Sequence, residues 1–278
     1  TVELQQAGYD VVIVDNLSNS REDVLDGIEK ITGIRPAFEK VDLRDFDATE
    51  SVFKKYPKIS GIIHFAASKA VGESVQKPLL YYHNNIVSLI NLLQLMPKYD
   101  VKGIIFSSSC TVYGQPDVLP ATEETPIKKA ESPYGNTKQI NEEIIADTIK
   151  SGSPIKAILL RYFNPIGAHP TAFIGEMPNG VPQNLIPYLT QTAMGIRKEL
   201  SVFGDDYDTP DGSCIRDYIY VVDLAKAHVC AMTRIMEDQT TEPVEVYNIG
   251  TGTGTSVLEL INAFEKATGV KLNYKIVG

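Results

Sequence analysis

Short strand-like runs alternate with helix-length stretches along most of this chain, and that alternation is what most restricts its fold. Strands are predicted at Tyr9–Val14, Pro36–Val41, Gly61–Phe65, 103–107, Lys156–Tyr162 and Val244–Ile249. Helices are predicted at Asp23–Gly33, Asp45–Lys55, Pro78–Met96, Tyr134–Ser151, Val222–Met236 and Ser256–Thr268. Tyr9–Val14 reads as one continuous apolar strand, as a sheet covered on both faces requires. Strand and helix in turn define an α/β fold built on a parallel sheet. The alternation fades over residues 164–221, which are rich in Pro and Gly.

The bulk properties exclude whole classes of function. A net charge of −9 over 278 residues argues against a nucleic-acid binder, which would carry a basic face. No apolar run approaches the roughly 20 residues of a membrane helix. Cys110, Cys214 and Cys230 are odd in number and scattered, forming neither a disulfide framework nor a metal pattern, so a reducing, cytoplasmic compartment is expected. His64, His83, His169 and His228 have no ligand spacing, and no metal is expected.

The chemistry concentrates in residues 103–138. The apolar run Gly103-Ile104-Ile105-Phe106 leads into Ser107-Ser108-Ser109-Cys110-Thr111-Val112-Tyr113-Gly114. Ser109 thus falls at the C-terminal end of a strand, where open α/β sheets bind ligands. Further on, Ser132-Pro133-Tyr134-Gly135-Asn136-Thr137-Lys138 opens a helix, and its Tyr134 and Lys138 are neighbours on one face. A phenol near its reference pKa of about 10 is a poor base at neutrality. A nearby ammonium should lower that value, so that Tyr134 can take a proton from an alcohol, with Ser109 on the reacting oxygen. Alone, each element has a plainer reading: a surface helix pair for Tyr-x-x-x-Lys, a strand exit for the serines. Their ordered combination is what points to a site.

The strand Tyr9–Val14 ends in Asp15-Asn16-Leu17-Ser18-Asn19-Ser20. An acid at that place suits the ribose hydroxyls of an adenine dinucleotide and repels a 2′-phosphate, favouring NAD over NADP. No glycine-rich turn precedes Asp15. The chain is therefore expected to be a fragment lacking the first strand and its glycine-rich loop. Gly250-Thr251-Gly252-Thr253-Gly254 is not the missing turn, because no acid-ended strand follows it.

The two motifs around Ser109 and Tyr134 resemble the extended branch of the short-chain dehydrogenase/reductase superfamily, its nucleotide-sugar epimerases in particular. The resemblance runs over essentially the whole chain, and implies that the chain's C-terminal end is missing as well. It implies a Rossmann-type doubly wound parallel sheet with a smaller, mixed α/β substrate lobe. Residues 1–163 would form the NAD-binding domain, with 222–249 returning to it, and 164–278 a discontinuous UDP-sugar lobe. The implied reaction interconverts UDP-galactose and UDP-glucose through transient oxidation at sugar C4. Catalysis would rest on Tyr134, Lys138 and Ser109. The implied cofactor contacts are Asp15 to Ser20, Asp42 and Leu43 beside the adenine, the exit Phe65-Ala66-Ala67-Ser68-Lys69, Asn84, and Phe163 by the nicotinamide, together with the catalytic three. The implied substrate contacts are Asn164, Asn184, Leu185, Ser201, Phe203, Arg216, Tyr218 and Val257, along with Lys69, Ser109 and Tyr134. A homodimer is expected through the helices at 78–96 and 134–151.

Two rival readings are a different NAD-dependent nucleotide-sugar epimerase or dehydratase, and a non-catalytic NAD-sensing regulator. Retention of Ser109, Tyr134 and Lys138 argues against the sensor, because binding alone needs no phenolate. Related dehydratases carry an Asp-Glu pair directly before the Val-Tyr-Gly turn, where this chain has Cys110-Thr111.

Overall fold

A computed structural model describes all of residues 1–278. In chain order the elements are α1 (Val2–Gln6), β1 (Val12–Asp15), α2 (Val24–Thr32), β2 (Ala37–Lys40), α3 (Phe46–Lys55), β3 (Gly61–His64), α4 (Val71–Gln76), α5 (Pro78–Leu95), β4 (Gly103–Ser109), α6 (Pro133–Lys150) and β5 (Lys156–Tyr162). There follow β6 (Asn164–Ile166), α7 (Leu185–Ala193), β7 (Leu200–Phe203), β8 (Ile215–Tyr220), α8 (Val221–Met236), β9 (Val244–Ile249), β10 (Gly254–Ser256), α9 (Val257–Thr268) and β11 (Tyr274–Val277). Two compact units result, one of residues 1–162 and 222–249, the other of 163–221 and 250–278.

The first unit is built on a four-stranded parallel sheet of order β3-β4-β5-β9. Its central strands alternate strictly between two cores, as period-2 geometry demands. Ile104 and Phe106 of β4 and Ala157 and Leu159 of β5 pack against α5 and α6. The intervening Ile105, Ile158 and Leu160 pack against Ala231, Met232 and Ile235 of α8. Glycine at the strand starts allows α8 this close: a Cβ on Gly61 would lie 2.6 Å from the Met232 sulfur. Helix ends follow local chemistry. Asp45 caps α3 by accepting from the Ala48 N–H at 2.9 Å, and Gly33 ends α2 with a left-handed φ of 74°.

The strands β1 and β2 pair in parallel but form a separate sheet. The single doubly wound sheet expected from the sequence is therefore interrupted. A slot of about 520 Å³, lined by Val12 and Val14 of β1, Ile62 of β3, and His228 and Met232 of α8, takes the place of a ladder between β1 and β3. The sequence reading also started β1 too early. Gly8 turns the chain with φ 86°, and Tyr9 donates its N–H to Leu4 O at 3.0 Å rather than joining the strand.

The second unit has two small sheets. In one, β8 pairs in parallel with β6 and antiparallel with β10; in the other, β7 pairs in parallel with β11. A core of Leu189, Leu200, Val202, Leu260, Ile261 and Leu272 joins α7, β7 and α9. These strands are three to six residues long and largely exposed on one face, so the apolar periodicity that marks the first unit is missing from the sequence here. The helix α9 is the exception, because Ser256 and Glu259 form a complete capping box at its start.

Candidate active site

The fully buried strand β4 ends at Ser109, whose Oγ accepts the N–H of Thr111 at 3.2 Å and opens a 3₁₀ turn over Cys110–Tyr113. Ser132 caps α6 by accepting from Gly135 N at 3.1 Å, and Pro133 occupies the first helical position. Tyr134 therefore stands in the first turn of α6 and Lys138 one turn on. Lys138 is only 3% exposed. Its Nζ donates to the carbonyl of Ser107 at 2.5 Å and lies 5.8 Å from the centroid of the Tyr134 ring. The Ser109 hydroxyl lies near enough to the Tyr134 phenol to favour its ionised form. Hydroxyl, phenol and ammonium thus meet at the exit of one strand.

The electrostatics correct one expectation. Burial pushes the Tyr134 phenol above its ordinary value, and the neighbouring Ser109 hydroxyl only partly opposes this. Lys138, whose Nζ is directed at the Ser107 carbonyl, does not offset that burial in the unliganded site. Burial instead brings Lys138 itself down to about 8, with the Glu142 carboxylate pulling the other way.

Helix α5 locks the arrangement through a residue the sequence reading passed over. Buried Asn85 accepts from Ser68 N at 2.8 Å and donates to Ser68 O at 3.0 Å and to Thr137 Oγ1 at 3.1 Å. Thr137 donates in turn to the carbonyl of Tyr134 at 2.7 Å. Asn84, the amide singled out from sequence, donates to Ser68 Oγ at 3.2 Å. The available signal was the pair of consecutive asparagines, which place one amide inward and one toward the strand exit.

A small cleft of about 60 Å³ collects Asp15, Asn16, Ser18, Asn19, Asp42, Leu43, Ala66, Ala67, Ser68 and Asn84. Asp15 Oδ1 closes its own turn by accepting from Leu17 N at 2.6 Å and Ser20 Oγ at 2.7 Å, and Leu17 takes a left-handed φ of 58° to allow it. Asp42 is gripped by both forks of Arg44, Nε to Oδ1 at 2.9 Å and Nη2 to Oδ2 at 2.6 Å, which holds its carboxyl far below the usual range. Asp42 Oδ2 also accepts from the Asn16 amide at 3.2 Å, which ties the ends of β1 and β2 together. Phe65 lies against His228 with the rings tilted by 37° and 4.8 Å between centroids, and Lys69 is exposed in the loop beyond.

In the second unit Asn164 donates to the carbonyl of Asp217 at 3.1 Å. The Asp217 carboxylate is cradled by the glycine turn: it accepts from Thr251 Oγ1 at 2.7 Å, from Thr251 N at 3.0 Å and from Gly252 N at 2.9 Å. A Cβ on Gly250 would lie 2.5 Å from that carboxylate and 2.8 Å from the Phe163 ring. The phosphate-loop look of residues 250–254 is therefore explained by an anion of the chain itself. Arg216 is exposed, donates to the carbonyl of Ile215 at 2.7 Å, and forms no ion pair with Asp217. Leu185, Tyr218 and Val257 pack on the apolar core of this unit. Asn184 stands ahead of α7 with its amide on Glu176 at 3.2 Å, and Ser201 and the exposed Phe203 lie on β7. No hydrogen bond joins these last three to the Asn164–Asp217 group.

No cluster of side chains suited to a metal ion is present, and no helix is long and apolar enough to cross a membrane. None of the three cysteines is in a disulfide.

A serine, a helix-borne tyrosine and a buried lysine at a parallel-sheet exit, beside an acid-ended strand, define a class of dinucleotide-dependent enzymes. Comparison with known proteins agrees: the NAD dependent epimerase/dehydratase family matches residues 1–250, and the chain belongs to that family. Within it the chain is 52% identical over 280 residues to UDP-glucose 4-epimerase 2 of Arabidopsis thaliana, covering 100% of this chain and 79% of that one. It is 50% identical to UDP-glucose 4-epimerase of Bacillus subtilis, with 99% and 79% covered. The crystal structure of UDP-glucose 4-epimerase from Bifidobacterium longum in complex with NAD+ and UDP superimposes with a TM-score of 0.94 at 50% identity, covering 99% of this chain and 81% of that one.

Proposed function

We propose that this protein is an NAD-dependent epimerase that interconverts UDP-galactose and UDP-glucose at sugar C4. The observation that carries the proposal is the convergence of Ser109, Tyr134 and Lys138 at the end of β4, in a chain about half identical along its length to UDP-glucose 4-epimerases.

The residues present fit NAD. The Asp15 carboxylate suits vicinal ribose hydroxyls, Leu43, Ala66 and Ala67 give the cleft a small-residue apolar lining, and Asn84 adds an amide. Phe163 belongs to the nicotinamide side in this reading. When bound, NAD supplies the acceptor for a hydride from C4 and its return to the opposite face. Tyr134 removes the proton from the C4 hydroxyl and gives it back, and Ser109 holds the same oxygen. While protonated, Lys138 carries positive charge near the ring and favours the phenolate when substrate arrives, although the unliganded phenol is protonated.

Turning the oxidised hexose over while keeping its nucleotide calls for most polar grip on UDP. Asn164, Asn184, Ser201 and Arg216 are assigned that role, with Leu185, Phe203, Tyr218 and Val257 as walls. The guanidinium of Arg216, free of carboxylate partners, suits a diphosphate. Residues 1–163 with 222–249 form the NAD domain of a Rossmann-type fold in this reading, and 164–278 the UDP-sugar lobe. Helices α5 and α6, with Leu79 and Leu80 exposed at the start of α5, are the proposed homodimer face, and three cysteines outside any disulfide fit a cytoplasmic location.

The dehydratase alternative needs an acid and a base for loss of the C6 hydroxyl. Cys110 and Thr111 provide neither pair. The full-length protein given UDP-galactose should yield UDP-glucose and reach one mixture from either side. Proton NMR of the product decides it: a 4-keto-6-deoxy sugar overturns the proposal.

A further inference from the structure

Beneath Ser109, Tyr134 and Lys138 lies a second polar assembly that the proposed chemistry does not use. Glu142 on α6 and Arg161 on β5 are 6% and 5% exposed. They join through both forks, Nε to Oε1 at 3.0 Å and Nη2 to Oε2 at 2.6 Å. Ser108 donates its hydroxyl to the same carboxylate. Arg161 Nη1 donates to the Tyr113 hydroxyl at 3.0 Å, and that hydroxyl donates to Asn248 Oδ1 on β9 at 2.6 Å. Asn248 is held from the other side, its N–H on Glu123 Oε1 at 2.7 Å and its amide on the Ala121 carbonyl at 3.2 Å.

Stability is a weak reason for such a pair. Burying two charges costs several kcal/mol, and apolar residues of similar volume often do as well or better. What the pair touches is more informative. Ser108 directly precedes Ser109, and Tyr113 ends the turn that follows it. Glu142 lies one helical turn beyond Lys138 and two beyond Tyr134 on α6. One carboxylate–guanidinium pair therefore holds both flanks of Ser109 and the helix that carries the other two groups.

We propose that Glu142 and Arg161 are positioning residues for the reaction, setting the separation of the Ser109 hydroxyl from the Tyr134 phenol and the Lys138 ammonium. The inference rests on the function proposed above. It has an electrostatic side as well. The groups facing Lys138 are Tyr134 and Glu142 from α6, the buried neutral His64 from β3 and the Ser107 carbonyl from β4, while Tyr162 of β5 pairs with Ser107. Glu142 is the one anion among them, and it favours the charged form of Lys138.

The test uses the full-length protein. Glu142→Gln keeps the shape and removes the charge; Arg161→Lys keeps the charge and loses the fork. Each should lower kcat about 10- to 100-fold with KM for UDP-galactose nearly unchanged, as misplacement of reacting groups does. Glu142→Gln should also move the alkaline limb of the kcat profile to lower pH, because Lys138 then loses its proton sooner. The double variant Glu142→Leu with Arg161→Met should regain the wild-type melting temperature and keep the kcat loss. Wild-type kcat in the double variant, or in both single variants below their melting temperatures, overturns the proposal. A readout that does not depend on turnover is the titration of the Lys138 ε-carbon by ¹³C NMR, whose midpoint should fall in Glu142→Gln. An unmoved midpoint removes the electrostatic half. A wild type that fails to epimerise would sink the function reading alone, with the titration still judging the pair.

Discussion

The two units order their polar groups in opposite ways. In the first, β4 is buried at all seven positions and packs against helices on both faces, so the reactive side chains project from a framework that cannot give. In the second, β8 and β11 are mostly exposed, and order comes from short-range bonds of acids and hydroxyls: Asp217 in the glycine turn, and Asp211 accepting from Ser213 N at 2.9 Å, Ser213 Oγ at 2.8 Å and Ser256 Oγ. The difference matches the division of labour proposed here. Proton transfer tolerates little displacement, so its groups sit on a dense core. A nucleotide grip needs many adaptable polar contacts, so loops with satisfied backbone suffice.

The largest expected effect lies in the rigid unit. Tyr134→Phe keeps the ring and its packing and removes the proton acceptor, so turnover should fall by roughly 10²- to 10⁴-fold. Unchanged turnover in a folded variant would break the comparison at its root. The next concerns Lys138, whose burial sets function against stability. Its folded value of about 8 lies below the ordinary 10.5, so the unfolded chain binds the extra proton between those values. The resulting cost of about 3 kcal/mol is fully present below pH 8 and fades as pH rises toward 10.5. Lys138→Met should therefore lose most turnover and yet gain stability at neutral pH, a gain that shrinks in urea titrations at pH 10. A variant less stable at pH 7 would show that the ammonium supports the fold instead.

Smaller effects are expected in the second unit. Asp217→Ala releases exposed donors that water can satisfy, so about 1–2 kcal/mol should be lost, and KM for UDP-galactose should rise more than kcat falls. An equal fall in kcat would show that this turn is as rigid a part of the chemistry as β4. Ser256→Ala removes the cap of α9 and should cost about 1 kcal/mol in thermal unfolding. A loss several times larger would mean that this unit depends on one helix end rather than on distributed local bonds.

Much of the first unit could be read residue by residue. Lys156–Tyr162 and Val244–Ile249 coincide with β5 and β9, and the helix bounds at Gly33, Asp45 and Ser256 follow from cap chemistry. That Tyr134 and Lys138 share a helix face is a matter of spacing alone. Such features are local: propensity, period and capping act within a few residues, so the sequence contains them in full. What only the tertiary structure decided involves distant partners. Asn85 on Ser68 and Thr137, Arg161 on Glu142 and Tyr113, and Asp217 under the turn at 250–254 depend on register and approach that no window records. The short strands of the second unit escaped notice because half-exposed segments need no apolar period. The direction of the Tyr134 shift was misjudged for a related reason. A neighbouring cation can be inferred from spacing, but desolvation is the sum of everything packed around a group, and that sum exists only once the chain has folded.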